Sequence, residues 1–217
     1  STHMANTLPT FTEFLSESSL SRLVHHNDAH DCGVITAFRS VPNPDTATDA
    51  ERAEQLRKNV ANNRRLIAQL LQKKYQLTAV DGRYVETQTR NGVRKEVNVR
   101  EQSLFVVDAF DRGTLAADLR HLGEEYDQDS IAFLPKGSFR DTAQTQPYLL
   151  GTNHTGFLGY GQKKTFSATR FNLDQPQFAT FIKGRSFVFE SIERAYEPPR
   201  TRNGHWMVTL GANEPRQ

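Results

Sequence analysis

The chain contains a single cysteine, Cys32, among 217 residues. One thiol cannot close an internal disulfide, and no Cys/His spacing resembles a zinc ligand set, so a disulfide scaffold or zinc ribbon is excluded. Nothing around Cys32 selects it as a nucleophile, and it reads as a buried or incidental thiol. Long apolar runs are also missing: none approaches the ~20 residues that a bilayer span needs. Residues 4–30 lack a basic stretch followed by an apolar core, so no signal peptide is expected, and Ser1-Thr2-His3 ahead of Met4 reads as a vector scar. A reducing cytoplasm is the expected setting. A large charge excess is absent as well. The net charge is +2 and the isoelectric point about 8.7, only mildly basic.

What is present suits one generous domain. Apolar residues make up 36% and aromatics 10%, with 14 phenylalanines, enough to bury a core. The mean hydropathy of −0.64 points to much polar loop around it. Charge is unevenly placed. Between Arg52 and Lys74 seven bases (Arg52, Arg57, Lys58, Arg64, Arg65, Lys73, Lys74) face one acid, Glu54, and acids gather between Asp108 and Asp129. Such asymmetry fits a polyanionic partner and equally fits a helix with a solvated basic face.

Hydrophobic periodicity divides the chain. Thr10 with Glu13 forms a capping box, and Phe11, Phe14, Leu15 and Leu23 predict a helix over 11–25. His25, His26 and His30 with Asp28 and Asp31 follow, without the one-face spacing of a metal-binding helix, and read as a polar helix exit. Gly33 to Phe38 is a β-rich apolar run, ended by Arg39, Ser40 and Pro42-Asn43-Pro44. Thr48 with Glu51 caps a long helix to about Tyr75, whose inner seam is read as Ala53, Leu56, Val60, Ile67, Leu70 and Leu71. Leu77–Glu86 and Val97–Val107 are strands flanking an Asn91-Gly92 hairpin turn. Leu115, Leu119, Leu122 and Tyr126 share one face of a second helix beginning near Thr114, and Ser130–Leu134 is a further strand.

The order from Gly33 to Leu134 is strand, helix, strand, strand, helix, strand. That is the split pattern of an α+β, ferredoxin-like βαββαβ core, an antiparallel sheet with two helices on one face. The expected organisation is an N-terminal helical segment at 4–32, this core at 33–137, a β-rich extension of the same domain at 138–196, and a loose tail at 197–217. Strands are expected in the extension at 147–150, 165–171 and 178–189. Leu56, Val60, Ile67, Leu104, Val106, Leu119, Leu122 and Ile131 are the expected core.

Several stretches together resemble a protein family of unknown function common in tailed bacteriophages. They are Ser19-Leu20-Ser21-Arg22, Val34-Ile35-Thr36-Ala37-Phe38-Arg39, Arg100-Glu101-Gln102-Ser103-Leu104-Phe105-Val106, Tyr126-Asp127-Gln128-Asp129-Ser130-Ile131 and Leu150-Gly151-Thr152-Asn153. The portion at about 33–137 also resembles a bacterial domain family of unknown function, with an Ile-Thr-Ala strand, an Asn-containing helix and a later Glu-Ser strand. The resemblance spans most of residues 14–190. It implies a phage origin, with host cytoplasm or virion as the site of action, and brings no mechanism with it.

The segment richest in chemistry runs from Gly151 to Lys164. Four glycines (Gly151, Gly156, Gly159, Gly161) would let backbone amides crowd around an anion, and Lys163 and Lys164 follow. The spacing fits neither a Walker A loop nor a dinucleotide fingerprint, and a ligand-free loop between strands would have the same composition. Gly151, Thr152, Asn153, Lys163 and Lys164 are therefore candidate phosphate contacts. Arg185 joins them from Lys183-Gly184-Arg185-Ser186-Phe187-Val188-Phe189, which is a stacking and phosphate platform if exposed and core if buried. His154, amid small polar residues, has the ordinary pKa of ~6.5 suited to proton transfer, with Glu101 and Glu86 on neighbouring strands to orient it. Asn63 falls on the inner seam of the long helix, where its amide either fixes the loop after the first strand or faces a ligand. With Arg39 it is a candidate polar pocket residue.

These features carry three readings. The first is a phage accessory protein binding a phosphate-bearing partner, either nucleic acid or a nucleotide. The second is a phosphoester- or nucleotide-processing enzyme with His154 as acid/base and Glu101 assisting. The third is a virion or host-takeover protein that binds a host or phage protein. No cofactor, metal or membrane partner is expected.

Overall fold

The structure, a computed structural model, describes residues 22–140, 146–166 and 187–196, the last for its backbone. It is a mixed α+β fold. A helix, α1, is described over residues 22–29. The other elements are β1 (Cys32–Ile35), α2 (Asp49–Gln72), β2 (Gln76–Arg90), β3 (Val93–Val107), α3 (Leu115–Glu125), β4 (Ser130–Leu134), β5 (Tyr148–Gly151), β6 (Lys163–Thr165) and β7 (Phe187–Tyr196). The strands form one sheet in the order β6-β5-β4-β1-β3-β2-β7. Every neighbouring pair is antiparallel. The sheet is thus wider than a four-stranded one, with β5 and β6 added at one edge and β7 at the other.

Both faces of the sheet are covered at its centre. On one face α2 and α3 bring Leu66, Leu70, Leu115, Leu119 and Leu122 against Ile35, Leu77, Leu104, Val106 and Ile131. Each such side chain, once fully buried, is worth roughly 1.5–3 kcal/mol. On the other face Leu23 of α1 joins Cys32, Val34, Phe105, Ala132, Leu134 and Leu149. All four residues of β1 are buried for that reason, since a central strand covered on both sides has no solvent face. The expected single covered face is corrected by this second layer. Gly33 lets α3 approach β1: a Cβ there would meet Leu119 Cδ1 at 2.2 Å.

Caps and turns follow the sequence reading. Thr48 Oγ1 accepts the Glu51 amide at 3.1 Å at the start of α2. Asn91 and Gly92 both take positive φ, 51° and 75°, as a type I′ hairpin turn requires. The strands it joins are longer than their apolar runs implied, at 15 residues each. The helix expected over 11–25 continues to residue 29, and its earlier portion lies outside the described residues. Asn27, fully buried, fastens α1 to the end of β4 by donating to Leu134 O at 3.0 Å and accepting the Ser138 amide at 3.0 Å.

Two expectations are corrected. β1 stops at Ile35 rather than Phe38, because α2 side chains take the next backbone groups: Ala37 N donates to Asn63 Oδ1 and Arg39 N to Asn59 Oδ1, each at 3.0 Å. The first half of α2 also does not bury its apolar positions. Leu56 is 47% and Val60 39% exposed, while Asn59, Asn63, Leu66, Ile67, Leu70 and Leu71 face inward. The other six expected core residues are buried. In the extension, β5 begins one residue later than expected, and β6 meets the strand expected at 165–171 only at Thr165; residues 167–171 of that strand and 178–186 of the next lie outside the described residues. β7 runs beyond the 178–189 expectation. Among the described residues no helix is long and apolar enough to cross a membrane. The tail at 197–217 lies outside the described residues.

Candidate functional site

The chain leaving β1 does not continue in the sheet, and that departure opens a cavity. Thr36, Phe38, Arg39 and Ser40 form one wall, Glu101 of β3 the floor, and Gln128, Asp129 and Ser130 at the start of β4 the other wall, around a volume of about 150 Å³. The walls are fixed by side chain to backbone bonds. Asn59 Nδ2 donates to Arg39 O at 2.9 Å, matching the Arg39 amide bond to the same side chain. Gln128 Nε2 donates to Phe38 O and Tyr126 O, each at 3.2 Å. Thr36 Oγ1 donates to Gln102 O at 2.6 Å and accepts the Phe38 amide at 3.1 Å.

The cavity is polar and richer in carboxylates than in cations. Glu101 is 1% exposed and accepts a long bond from Ser103 Oγ at 3.4 Å. Arg39 donates to Asp127 O and lies 3.7 Å from the Asp127 carboxylate and 3.5 Å from that of Asp129. Three stretches quoted above for their family resemblance, around Thr36, Glu101 and Gln128, meet here. Another of the five, around Asn153, braces them from outside.

That bracing organises the glycine-rich loop between β5 and β6. Asn153 Nδ2 donates to Asp129 Oδ1 at 3.0 Å and to Asp127 Oδ1 at 3.2 Å, and Asn153 Oδ1 accepts the Gly156 amide at 2.8 Å. The Thr152 amide donates to Asp129 O, the Gly151 amide to Gln162 O and the Gly161 amide to Gly151 O. Gly151 is required by contact: a Cβ there would lie 1.8 Å from Gly159 O. The amides of Gly151, Thr152, Gly156 and Gly161 are therefore engaged within the protein, and the loop does not present them as an anion cradle.

The outer surface of the loop instead presents rings and cations. His154 stacks on Tyr160 with centroids 4.7 Å apart and planes 23° from parallel. The Arg120 guanidinium of α3 sits 5.7 Å from the Tyr160 centroid, and Tyr160 Oη donates to Glu124 at 2.8 Å. That bond, with Arg120 alongside, holds the Glu124 carboxyl below its usual range. Phe157 is 53% exposed. Lys163 Nζ lies 4.6 Å from the Tyr148 centroid, and both Lys163 and Lys164 are exposed on edge strand β6. Lysines on an edge strand also deter pairing with a second sheet.

The sequence-derived candidates thus divide. Arg39 and Glu101 share the cavity; Thr152 and Asn153 brace it; Asn63 stands behind its wall; Lys163 and Lys164 lie on β6. His154 belongs to the loop surface and does not line the cavity with Glu101. Arg185 lies outside the described residues. Four of the seven bases between Arg52 and Lys74 are paired: Arg52 with Glu86, Arg57 with Glu54, Arg65 with Glu125 and Lys73 with Asp118. Gln128, Asp129, Arg120 and Tyr160 were not singled out as site residues, because each acquires its role through neighbours distant in sequence. Burial pushes the Cys32 thiol up to about 12, far from an activated nucleophile. Among the described residues no group of three His, Cys, Asp or Glu side chains is placed to hold a metal ion. Set against family models, characterised proteins and solved structures, the chain matches none.

Proposed function

We propose that the chain binds a short phosphate-bearing partner, single-stranded nucleic acid or a nucleotide, on the surface formed by the loop between β5 and β6 and by β6 itself. The observation that carries this reading is the stacked His154–Tyr160 pair beneath the Arg120 guanidinium, with Lys163 and Lys164 exposed on the adjoining strand. Exposed rings offer stacking faces to bases of any sequence, and nearby cations serve the phosphates. The small net charge favours a short ligand over a long duplex. The central strand order β4-β1-β3-β2, with α2 after β1 and α3 after β3, supports a ferredoxin-like reading of 33–137. The family resemblance supports a phage accessory role in host cytoplasm or virion.

A second reading, attachment to a host or phage protein, is favoured by Leu56 and Val60, which are exposed one turn apart on α2. Salt separates the two. Titration of labelled single-stranded oligonucleotides should show affinity falling steeply with salt, by about 0.7 log unit per log unit of salt for each phosphate contacted. Changing Lys163 and Lys164 together to Ala should flatten that slope by roughly one to two units. Tyr160→Ala should cost about 1–3 kcal/mol of binding. No binding at any salt concentration would leave the protein-partner reading ahead.

A further inference from the structure

We infer that the loop surface is one half of a track for single-stranded nucleic acid, with a second stacking site at Tyr148 and with Lys163 holding the phosphate between the two. The inference rests on the reading above and narrows its ligand to a strand of at least two nucleotides, rather than a lone nucleotide.

A second group of rings lies on the same side of the sheet as Tyr160. Tyr148 of β5 stands opposite Phe133 of β4, with ring centroids 5.5 Å apart and planes inclined at 45°. Both rings are only partly buried, against the core layer that α2 and α3 cover. Lys163 of β6 stands opposite Leu150, a member of that layer, and residues directly opposite in an antiparallel pair share a face. The Lys163 ammonium accordingly lies over the Tyr148 ring, 4.6 Å from its centroid. Tyr160 is on this side too, since Arg120 and Glu124 of α3 both reach it.

The strand sets the order of these groups. The Gly151 amide donates to Gln162 O and the Gly161 amide to Gly151 O, which holds Tyr160 at the end of β5. Tyr148 begins that strand, and Lys163 is paired between the two at Leu150. A strand of this length spans about 10 Å, a reach that adjoining nucleotides cover when their bases are unstacked.

The cations on this face differ in what already holds them. Arg120 is engaged by Tyr160 and by Glu124. Among the described residues Lys163 meets no carboxylate and rests on a ring, a weak attraction at an exposed position. A phosphate offers it a stronger, charge-assisted bond. In moving to the phosphate, the ammonium uncovers the Tyr148 face for a base. Such faces serve unpaired bases, which can be splayed onto side-chain rings, and not those stacked within a duplex.

The test uses the full chain and compares thymidine monophosphate with the thymidine dinucleotide by calorimetric titration at low salt. The dinucleotide should bind more tightly by roughly five- to a hundredfold, the gain expected from one further stacked base and its phosphate. Tyr148→Leu, which keeps an apolar side chain beside Phe133, should remove most of that gain. Should that variant fail to fold, Lys163→Ala, a change at an exposed position, must reduce the gain instead. A short oligothymidylate should lose most of its affinity when annealed to its complement. Equal affinity for monophosphate and dinucleotide, a folded Tyr148→Leu chain that retains the gain, or a duplex bound as tightly as the single strand would each overturn the track. Monophosphate binding without a gain for the dinucleotide overturns the track and leaves the wider reading standing; failure of both to bind removes the two together.

Discussion

Asn63 accepts the Ala37 amide on Oδ1 at 3.0 Å and donates from Nδ2 to Gln102 Oε1 at 2.6 Å, joining α2 to the end of β1 and to β3 through one side chain. The residue is 1% exposed, so no water replaces either partner. Asn63→Leu keeps the volume and strands a backbone donor and an amide oxygen. The expected loss is about 1–3 kcal/mol of stability, read from the midpoint of urea unfolding. A midpoint equal to that of the parent chain would remove Asn63 from the scaffold.

The same residue shows where sequence reading stopped. Periodicity correctly made the second half of α2 apolar and inward, and Ile67, Leu70 and Leu71 are buried. In the first half it chose Ala53, Leu56 and Val60, whereas Asn59 and Asn63 face in. A 3.6-residue period identifies residues that share a face, but the partner decides which face is covered. Here the partner is a segment leaving the sheet, with the Ala37 and Arg39 amides needing acceptors, so Asn outcompetes Leu at the contact. The cavity was invisible for a related reason. Arg39, Glu101 and Asp129 meet only because β1 lies between β3 and β4, and strand order is not written in local spacing. Asn63 was expected to fix the loop after the first strand or to face a ligand; it takes the Ala37 amide just past β1, and Asn59 serves Arg39.

Gly33 and Leu119 form a coupled pair across α3 and β1. Leu119→Ala, at a position with no exposure, should cost about 2–5 kcal/mol. Gly33→Ala alone drives a methyl into Leu119 Cδ1 and should cost about 1–3 kcal/mol. The double variant removes that clash, so its loss should fall short of the two single losses added together. Additive losses in denaturant unfolding would show that the clash with Ala132 O, at 2.8 Å, dominates instead.

Cys32 is buried, and its thiol is pushed up to about 12, first by that burial. The upward direction sets the sign: the neutral thiol is the folded form at neutral pH, and the thiolate gains only as pH approaches 12. Alkylation of the native chain should therefore stay slow between pH 7 and about pH 9, where an ordinary cysteine would already react. Adding urea should raise the rate in step with the unfolded fraction. Rapid native alkylation at neutral pH would contradict the burial of β1.

Arg52 and Glu86 form the ion pair that ties α2 to the β2–β3 hairpin, with N and O 3.3 Å apart and side chains 18% and 10% exposed. Arg52 also donates to Pro44 O, and the Gln88 carbonyl, turned towards it, accepts from both of its terminal nitrogens at 2.6 and 3.0 Å. Glu86 is served less well: its Oε1 is buried with no hydrogen-bond partner. The two halves of the pair should consequently respond unequally. Arg52→Met leaves the Glu86 carboxylate buried without its cation, and breaking a buried pair in this way costs about 3–5 kcal/mol. Glu86→Gln instead removes a charge whose second oxygen is unsatisfied, while Arg52 keeps Pro44 and Gln88. Its loss should be under about 1 kcal/mol, since the desolvation cost of the carboxylate is relieved at the same time. Thermal melts of the two variants under identical conditions give the comparison. Equal losses would mean that the attraction between the charges, and not the unequal satisfaction of their hydrogen bonds, determines what the pair contributes.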